Sequence, residues 1–175
     1  ITSDTTWSPL GGVYVIESGF SVASGTTLTI EPGTIIKSKI TSIYSNPSIY
    51  GKIVARGSAE LPIYFTSLTN DSLGGDTNLD GPSMGGPGEW QGLYFHPGSE
   101  GVFDYVELSF AGAGGYGWGN FSGIKNNGGD VEINNSNIHD NYANLFDWVI
   151  GNYRGGNSIY NLSGNLSINN SVIDS

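Results

Sequence analysis

A short segment that occurs twice near the C-terminus constrains the fold of this chain more than any other feature. Residues 131–140 read VEINNSNIHD and residues 166–174 read LSINNSVID, so that Ile133 and Ile168 are 35 positions apart. Each copy is a short strand, an Asn-Asn-Ser corner and a second short strand. Self-similarity at a spacing of tens of residues is typical of a solenoid, in which each coil buries its apolar face against its neighbours.

Short apolar segments with glycine or proline corners recur along the rest of the chain. Their spacings, 25 residues from Leu28 to Ile53 and 30 from Phe103 to Ile133, fit coils of roughly 20 to 25 residues with insertions at one corner. A β-sandwich, the rival architecture, calls for hairpins with two-residue turns, for which Asn127-Gly128 is the one candidate. We therefore predict an all-β, right-handed parallel β-helix of about five coils, with less than one helical turn in ten residues.

The same pattern predicts how the chain is divided. Residues 1–24 are expected to form an N-terminal cap and residues 25–175 the coils, with an insertion loop at 69–89 and further loops at 111–129 and 141–163. No run approaches the ~20 apolar residues of a membrane span. The chain begins with Ile and stops just after the second copy. We expect a segment of a longer protein, or a subunit whose end is covered by another chain.

Composition narrows the range of partners. The chain of 175 residues has a formal net charge of −10 and no cysteine. From Glu60 to Glu107 there are eight acidic residues and no Lys or Arg. Such a run repels nucleic acid, because phosphate binding depends on cationic side chains, and it attracts divalent cations. Without disulfides, an extracellular domain needs another means of stabilisation, such as a metal ion or stacked strands.

Several segments together resemble a known family. The opening GTTLTIEPGTIIK (25–37), followed by GKIVARG (51–57), PIYFTS (62–67), GDTNLDG (75–81) and WQGLYF (90–95), is similar to right-handed parallel β-helix repeat proteins of bacterial cell surfaces. The resemblance covers residues 7–110 well and the rest more loosely. It implies an extracellular or cell-surface location. It does not imply one activity, because such modules serve in adhesins, S-layer-type proteins and large secreted proteins alike.

The insertion loop contains a candidate calcium site. Asp76, Asn78, Asp80 and the following glycine occupy positions 1, 3, 5 and 6 of the calcium loop D-x-[DN]-x-[DN]-G, in which oxygen ligands stand on alternate residues. The bidentate Glu of position 12 is missing, so Asp71, Glu89 or a residue of an adjacent coil would have to replace it. The alternative is a solvated polar loop. We predict one bound Ca²⁺, with a backbone carbonyl near Pro82 as a further ligand.

Catalysis has little support in the sequence. His96 lies in a turn and His139 in the first repeat copy, and neither has the neighbours of a catalytic triad in sequence. We predict that both are surface or turn histidines without partners. Asp104 and Glu107 stand three apart on one predicted strand, so their side chains should point to opposite faces. A polysaccharide lyase would also need Lys or Arg near a uronate, and residues 57–124 contain neither.

Two further groups of residues are candidates for interactions. Aromatic side chains in the later loops can stack on sugars or anchor an interface, although they can equally pack on the flank of the helix: Tyr116, Trp118, Phe121, Tyr142, Trp148 and Tyr153. At the C-terminal end the last coil would leave unpaired strand edges, which are templates for strand addition. The predicted assembly edge comprises Ile168, Val172 and Ile173.

The sequence therefore predicts a non-enzymatic extracellular or cell-surface β-helix module with a structural or adhesive role. Its expected partners are further chain or neighbouring subunits at the C-terminal end, and a cell-surface glycan or protein. Two alternatives stay open. One is a self-assembling extracellular filament or sheath subunit, and the other is a carbohydrate-binding or polysaccharide-degrading β-helix protein.

Overall fold

The computed structural model describes residues 1–41, 45–113, 122–142, 144–147, 152–155 and 158–174. Within these residues the chain consists of short β-strands that pair in parallel, apart from one antiparallel hairpin. The single helical element in this part of the chain is a 3-10 turn at Pro9–Gly11. The parallel β-helix predicted from the repeat is thus confirmed.

The strands wind through five complete coils and part of a sixth. In chain order they are β1 (Thr5–Trp7), β2 (Tyr14–Ile16), β3 (Ser21–Val22), β4 (Thr27–Ile30), β5 (Ile35–Ser38), β6 (Ser48–Ile49), β7 (Lys52–Arg56), β8 (Ile63–Ser67), β9 (Leu93–Phe95), β10 (Glu100–Asp104), β11 (Val106–Ser109), β12 (Ile124–Asn134), β13 (Asn137–His139), β14 (Asn144–Asp147), β15 (Asn152–Gly155), β16 (Ile159–Asn169) and β17 (Val172–Ile173).

Each coil has three faces. Face one stacks β1, β4, β7, β10 and the second halves of β12 and β16, and face two stacks β2, β5, β8, β11, β13 and β17. Face three stacks β3, β6, β9 and the first halves of β12 and β16. Strands β12 and β16 therefore turn a corner, and the register between them shifts around Asn127. The hairpin β14–β15 lies within the insertion of the fifth coil.

The register agrees with the spacings read from the sequence. Leu28 pairs with Ile53, Phe103 with Ile133, and Ile133 with Ile168. Residues 1–24, predicted as a cap, contain β1, β2 and β3, each in parallel register with a strand of the second coil. This segment therefore occupies the N-terminal end of the stack as a coil.

The core lies inside the coils and joins all three faces. Phe103 on face one makes edge-to-face contacts with Phe65 on face two and Phe95 on face three, at ring-centroid distances of 6.3 and 6.0 Å. All three rings are buried. Each ring buries a large apolar surface, so removal of one such ring costs about 3–5 kcal/mol.

The Asn-Asn-Ser corners explain why this sequence is repeated. Asn135 and Asn170 turn the chain from face one to face two in the left-handed conformation, with φ of 48° and 47°, which Asn tolerates better than most residues. Asn170 Nδ2 donates to Asn135 Oδ1 in the coil before it, at 3.4 Å. Ser136 Oγ accepts from the Val106 amide at 3.0 Å, and Ser171 Oγ accepts from the Ser136 amide at 3.1 Å. The corner residues thus form polar ladders along the stack.

One strand assignment was wrong. The sequence suggested a continuous strand through Asp104 and Glu107, but β10 ends at Asp104 and β11 begins at Val106. Between them Tyr105 adopts a left-handed conformation with φ of 50°. Asp104 and Glu107 therefore lie on two adjacent faces of the coil. Tyr105 occupies the position that Asn135 occupies one coil later, and a tyrosine gives no sequence signal for such a corner.

Candidate metal centre

The insertion loop at 69–89 covers the outer side of face two. Lys37 and Ser109 stand at outward positions of this face, and both are buried. The loop approaches the face closely at two points: Gly74 lies against Val13, and Gly85 against the ring of Phe110. A loop of this length would be expected to be exposed, but here it forms a second layer over coils one to four.

Polar groups at the base of the loop are satisfied by the coils beneath it. Thr66 Oγ1 lies 3.1 Å from Ser109 Oγ and accepts from Asn70 Nδ2 at 2.9 Å. Glu89 accepts hydrogen bonds from the hydroxyl groups of Ser67 and Thr69. These bonds connect both ends of the loop to β8, so the loop leaves and rejoins the stack at a defined place.

Three carboxylates meet within the loop. Asp71, Asp76 and Asp80 each place one carboxylate oxygen so that the three oxygens lie within 4.8 Å of one another. Two ligands of one Ca²⁺ are separated by at most about 5 Å, because each Ca–O distance is 2.3–2.6 Å. The spacing of the three oxygens is therefore compatible with a single shared cation.

Backbone amide groups hold two of these carboxylates. Asp76 accepts from the amides of Leu79, at 2.6 Å, and Gly81, at 3.1 Å. Asp71 Oδ2 accepts from the amide and the hydroxyl of Ser83, at 2.7 and 3.1 Å. Positive φ angles of 59° at Leu79 and 95° at Gly81 let the chain curl around Asp76. The carboxylates are positioned by the loop backbone.

Two oxygen atoms at this cluster retain free lone pairs. Asp71 Oδ1 and Asn78 Oδ1 are buried, and neither accepts a hydrogen bond from the described part of the chain. Asn78 Nδ2 donates to Asp80 Oδ2 at 2.7 Å, which joins two of the predicted calcium ligands. Buried oxygen atoms without a donor are costly, and coordination of a hard cation such as Ca²⁺ would satisfy them.

Lys37 supplies a positive charge from beneath the cluster. Its ammonium group is fully buried, donates to the Gly75 carbonyl at 2.5 Å and lies 3.9 Å from Asp71 Oδ1. Burial lowers the pKa of Lys37, while Asp71 and Asp76 oppose that shift. Three carboxylates and one ammonium leave two net negative charges, which one divalent cation would balance. No local sequence pattern reveals the role of Lys37, because Gly75 in the loop that covers it is 38 positions away along the chain.

The remaining predicted site residues are distributed as follows. Glu89 is bound to Ser67 and Thr69 at the base of the loop and is not part of the group of three aspartates. Tyr142 is 47% exposed and lies against Gly88, and Tyr153 lies in β15, opposite Phe146. The other predicted aromatics are outside the described residues: Tyr116, Trp118, Phe121 and Trp148. Ile168, Val172 and Ile173 are all exposed at the last coil.

The prediction that both histidines lack partners was wrong for His139. Its Nε2 lies 3.1 Å from Glu107 Oε1 in the preceding coil, and its Nδ1 lies 2.7 Å from Asp140 Oδ2. The hydrogen bond to Glu107, and then that to Asp140, raise the pKa of His139, while burial opposes the shift. Strand pairing brings Glu107 to His139 across 32 positions, which no local motif reveals.

His96 occupies a different environment, on face three. Its ring stacks on Tyr50, with centroids 4.0 Å apart, and contacts Tyr94 at 4.1 Å. Burial, and to a smaller extent the charge of Lys125, lower the pKa of His96. Tyr50 and His96 stack across adjacent coils, and Tyr94 packs against His96 within one coil. The ring faces of these residues therefore contact one another.

The carboxylates on face one are paired with neighbouring side chains. Glu100 forms an ion pair with Lys52 at 2.6 Å, and Asp130 accepts from Asn165 at 2.7 Å. Glu132 Oε1 accepts from the side-chain Nδ2 of Asn134 at 2.8 Å. A shallow groove runs across this face over Glu100, Asp130 and Glu132. Its acidic side chains hold adjacent residues in place, and no Lys or Arg lines it.

Comparison with known proteins agrees with this architecture. A family model described as a pectate-lyase like beta helix domain matches residues 1–83. The chain is a parallel β-helix protein. The match covers the first two coils, part of the third and the three aspartates of the candidate metal centre. No curated protein and no solved structure shows significant similarity to the chain.

Among the residues that the structure describes, no helix has the length and apolar character that are needed to cross a bilayer.

Proposed function

We propose that this chain is a non-enzymatic β-helix module of an extracellular or cell-surface protein, with a structural or adhesive role and a surface loop that Ca²⁺ stabilises. The observation that carries the proposal is the use of the ionisable side chains. In the described part of the chain, Lys52–Glu100 and Glu107–His139 connect adjacent coils and Lys37 connects a coil to the insertion loop. The three carboxylates that meet lie in the insertion loop.

The pairing of the acidic side chains supports a role without catalysis. A general acid or base must reach the substrate with its own proton or lone pair. Glu100 is paired with Lys52, and Asp130 with Asn165, each across adjacent coils. His139 is bound to two carboxylates and to no hydroxyl nucleophile. These groups stabilise the scaffold, as expected of a structural module.

The geometry of the loop supports calcium. The three carboxylates, the free oxygen of Asn78 and the net charge left by Lys37 together suit a hard divalent cation with oxygen ligands. The cation would act on the loop, because its three carboxylate ligands all lie in that loop and Lys37 of β5 lies beneath them. Calcium would thereby fix the outer layer that covers coils one to four.

The calcium proposal is tested by thermal unfolding of the 175-residue chain. A ligand that binds only the folded state stabilises it by about 2.7 kcal/mol at 100 times its Kd, so the melting temperature should rise by roughly 5–10 °C in calcium relative to chelator. Asp80→Asn removes one charge but keeps an oxygen that can accept from Asn78, and it should abolish most of the rise. Glu132→Gln is the matched control and should leave it intact.

Equal melting temperatures with calcium and chelator for the unsubstituted chain would refute the calcium site. An equal rise in melting temperature in the Asp80→Asn and Glu132→Gln variants would show that calcium binds elsewhere on the chain.

A second candidate function is carbohydrate binding or cleavage. It is favoured by the groove over Glu100, Asp130 and Glu132 and by the description of the matching family model. The test is incubation of the chain with a polyuronate in calcium, followed by assay of unsaturated products. We expect no turnover. Turnover that Glu132→Gln or Asp130→Asn abolishes would replace the non-enzymatic proposal.

A third possibility, a filament or sheath subunit, depends on the exposed end of the last coil. There Ile168 and Ile173 are 41% and 38% exposed. Electron microscopy of native material would distinguish stalks on cells from polymers of the chain. We propose that other chain covers this end in the native protein.

A further inference from the structure

We propose that Lys37 is the internal counter-ion of the insertion loop: its ammonium group holds the aspartate cluster on face two in the absence of metal, and its charge sets the preference of the cluster for divalent cations. The cluster comprises Asp71, Asp76 and Asp80. The part that concerns cations rests on the proposed calcium site. The part that concerns the loop does not, because it describes how the loop is held without any metal.

The first observation is the burial of Lys37 beneath the loop. Lys37 stands at an outward position of β5, yet its side chain is 0% exposed. Lysine is almost never fully buried unless its charge is paired. Its ammonium group donates to the Gly75 carbonyl at 2.5 Å and lies 3.9 Å from Asp71 Oδ1. Lys37 therefore links the second coil to the segment of the loop that contains the aspartates.

The surroundings of this contact strengthen it. Gly74, which precedes the carbonyl that Lys37 contacts, lies against the apolar side chains of Val13 and Ile35. Charges interact more strongly in less polar surroundings. Asp71 Oδ1 is buried and accepts no hydrogen bond from the described part of the chain, so the positive charge of Lys37 compensates it.

The base of the loop is attached by different contacts. There Glu89 accepts hydrogen bonds from the hydroxyl groups of Ser67 and Thr69, and Asn70 donates to Thr66 at 2.9 Å. None of these bonds involves Lys37. Removing the charge of Lys37 should therefore release the segment that contains the aspartates while the base of the loop stays attached.

The charge of Lys37 also affects which cation the cluster accepts. The three aspartates carry three negative charges, and Lys37 reduces the net charge to two. Repulsion between the ammonium group and a bound cation grows in proportion to the charge of that cation. Lys37 therefore disfavours a trivalent ion more than a divalent one. A neutral side chain at this position should raise the affinity for both, and the affinity for the trivalent ion more.

The first experiment measures amide hydrogen exchange by NMR in the 175-residue chain, in chelator. Lys37→Met keeps an apolar side chain and removes the charge. Lys52→Met, which removes an exposed ion pair on face one, is the matched control. The amides of Leu79 and Gly81 report on the loop, because both donate to Asp76. Their exchange should accelerate by on the order of tenfold or more in Lys37→Met, and should be unchanged in Lys52→Met.

Adding Asp71→Asn to Lys37→Met separates charge from packing. The double variant restores the net charge of the cluster, so protection at Leu79 and Gly81 should recover. If Lys37→Met alone does not fold, recovery of folding in the double variant supports the counter-ion role in the same way. Unchanged exchange in Lys37→Met, or a loss of protection or of folding that Asp71→Asn does not reverse, would overturn that role.

The second experiment is calorimetric titration with calcium and with lanthanum. The ratio of lanthanum affinity to calcium affinity should rise by about tenfold in Lys37→Met and stay constant in Lys52→Met. The same ratio in both variants and the unsubstituted chain would overturn the inferred effect on cation preference. Absence of calcium binding by the unsubstituted chain would refute the proposed calcium site and the cation preference with it, whereas exchange in chelator would still decide whether Lys37 holds the loop.

Discussion

The first and last coils of this β-helix differ in the side chains that occupy their inward positions. At the N-terminal end, the inward positions of coil one hold the large rings of Trp7, Tyr14 and Phe20, which pack against the core and are only partly exposed. At the C-terminal end, the same positions hold isoleucine, and Ile168 and Ile173 remain exposed. The large aromatic side chains pack over the interior of the first coil, whereas the isoleucine side chains of the last coil remain exposed.

The hydrogen bonds of polar groups also differ between the first and last coils. In the first coil the Ser8 amide donates to the hydroxyl of Tyr14 at 3.0 Å. In the last coil, Asn170 Nδ2 donates to Asn135 Oδ1 of the coil before it, and Ser171 Oγ donates to the Asn169 carbonyl of the same coil. The first and last coils of the described chain thus differ in side-chain size and in the polar contacts at their corners. Four predictions test this contrast.

The largest effect is expected from truncating the two equivalent isoleucines. Ile133→Ala removes a fully buried side chain and should cost about 3–4 kcal/mol. Ile168→Ala removes one that is already 41% exposed, and should cost about 1 kcal/mol. Chemical denaturation of both variants measures the difference. Similar losses would mean that the last coil is as well packed as the interior, contrary to the comparison.

The second prediction concerns the aromatic closure of coil one. Trp7→Ala should cost about 2–3 kcal/mol, since the ring contacts both Tyr14 and Phe20. Leu10→Ala, in the same coil, removes a side chain that is 97% exposed and should change stability by less than about 0.5 kcal/mol. Thermal and denaturant unfolding provide the measurement. A Trp7→Ala variant as stable as the Leu10→Ala control would show that packing of the rings does not stabilise coil one.

The third prediction concerns the asparagine ladder. Asn135 bonds to Asp104 at 2.9 Å and to Asn170, while Asn170 bonds only to Asn135 among the described residues. Glycine accepts the left-handed conformation of both positions, so Asn→Gly variants isolate the hydrogen bonds. Asn135→Gly should cost about 1 kcal/mol more than Asn170→Gly. The reverse order would show that these side-chain hydrogen bonds between coils do not stabilise the stack.

The smallest effect is a pH dependence close to the C-terminal end. The folded-state pKa of His139 is raised by its hydrogen bonds to Glu107 and Asp140. Its contribution to stability is therefore fully present below the ordinary histidine pKa of about 6.5 and is lost as pH rises through the folded value. The contribution should be about 1 kcal/mol or less, because the cluster is partly exposed. His139→Gln should remove it.

His96 provides an internal control of opposite sign. Its pKa is lowered by burial and by Lys125, so its contribution is present above the ordinary histidine pKa and is lost as pH falls through the folded value. Denaturant unfolding at about pH 5 and pH 8 should therefore respond in opposite directions to His96→Gln and His139→Gln. Shifts of the same sign in the two variants would show that the pairing of His139 is incorrect.

The fold was largely predictable because, in a solenoid, equivalent residues of successive coils recur at spacings set by the length of each coil. Leu28 was aligned with Ile53, and Phe103 with Ile133 and Ile168, from their spacing alone, and the strands pair each of these sets in register. The corner at Asn135 was visible because Asn is suited to a left-handed turn. The corner at Tyr105 was not, because strand pairing there imposes a conformation that the residue does not favour by itself.

The candidate metal centre was predictable only in its local part. The alternation of Asp76, Asn78 and Asp80 is a local pattern and needs no tertiary information. The approach of Asp71 and the burial of Lys37 depend on how the loop folds back over face two. The pairing of His139 with Glu107 likewise follows from stacking of coils, because these residues become neighbours only when the strands are in register.

The sequence by itself determined the periodicity, the corners and the residue types that stack, since these depend on neighbours along the chain and on one repeated spacing. Only the tertiary structure decided which charges are buried, which carboxylates are paired and which apolar side chains are exposed. The physical reason is that burial and electrostatic pairing depend on what lies across a coil or above it, and such neighbours are separated by tens of residues along the chain.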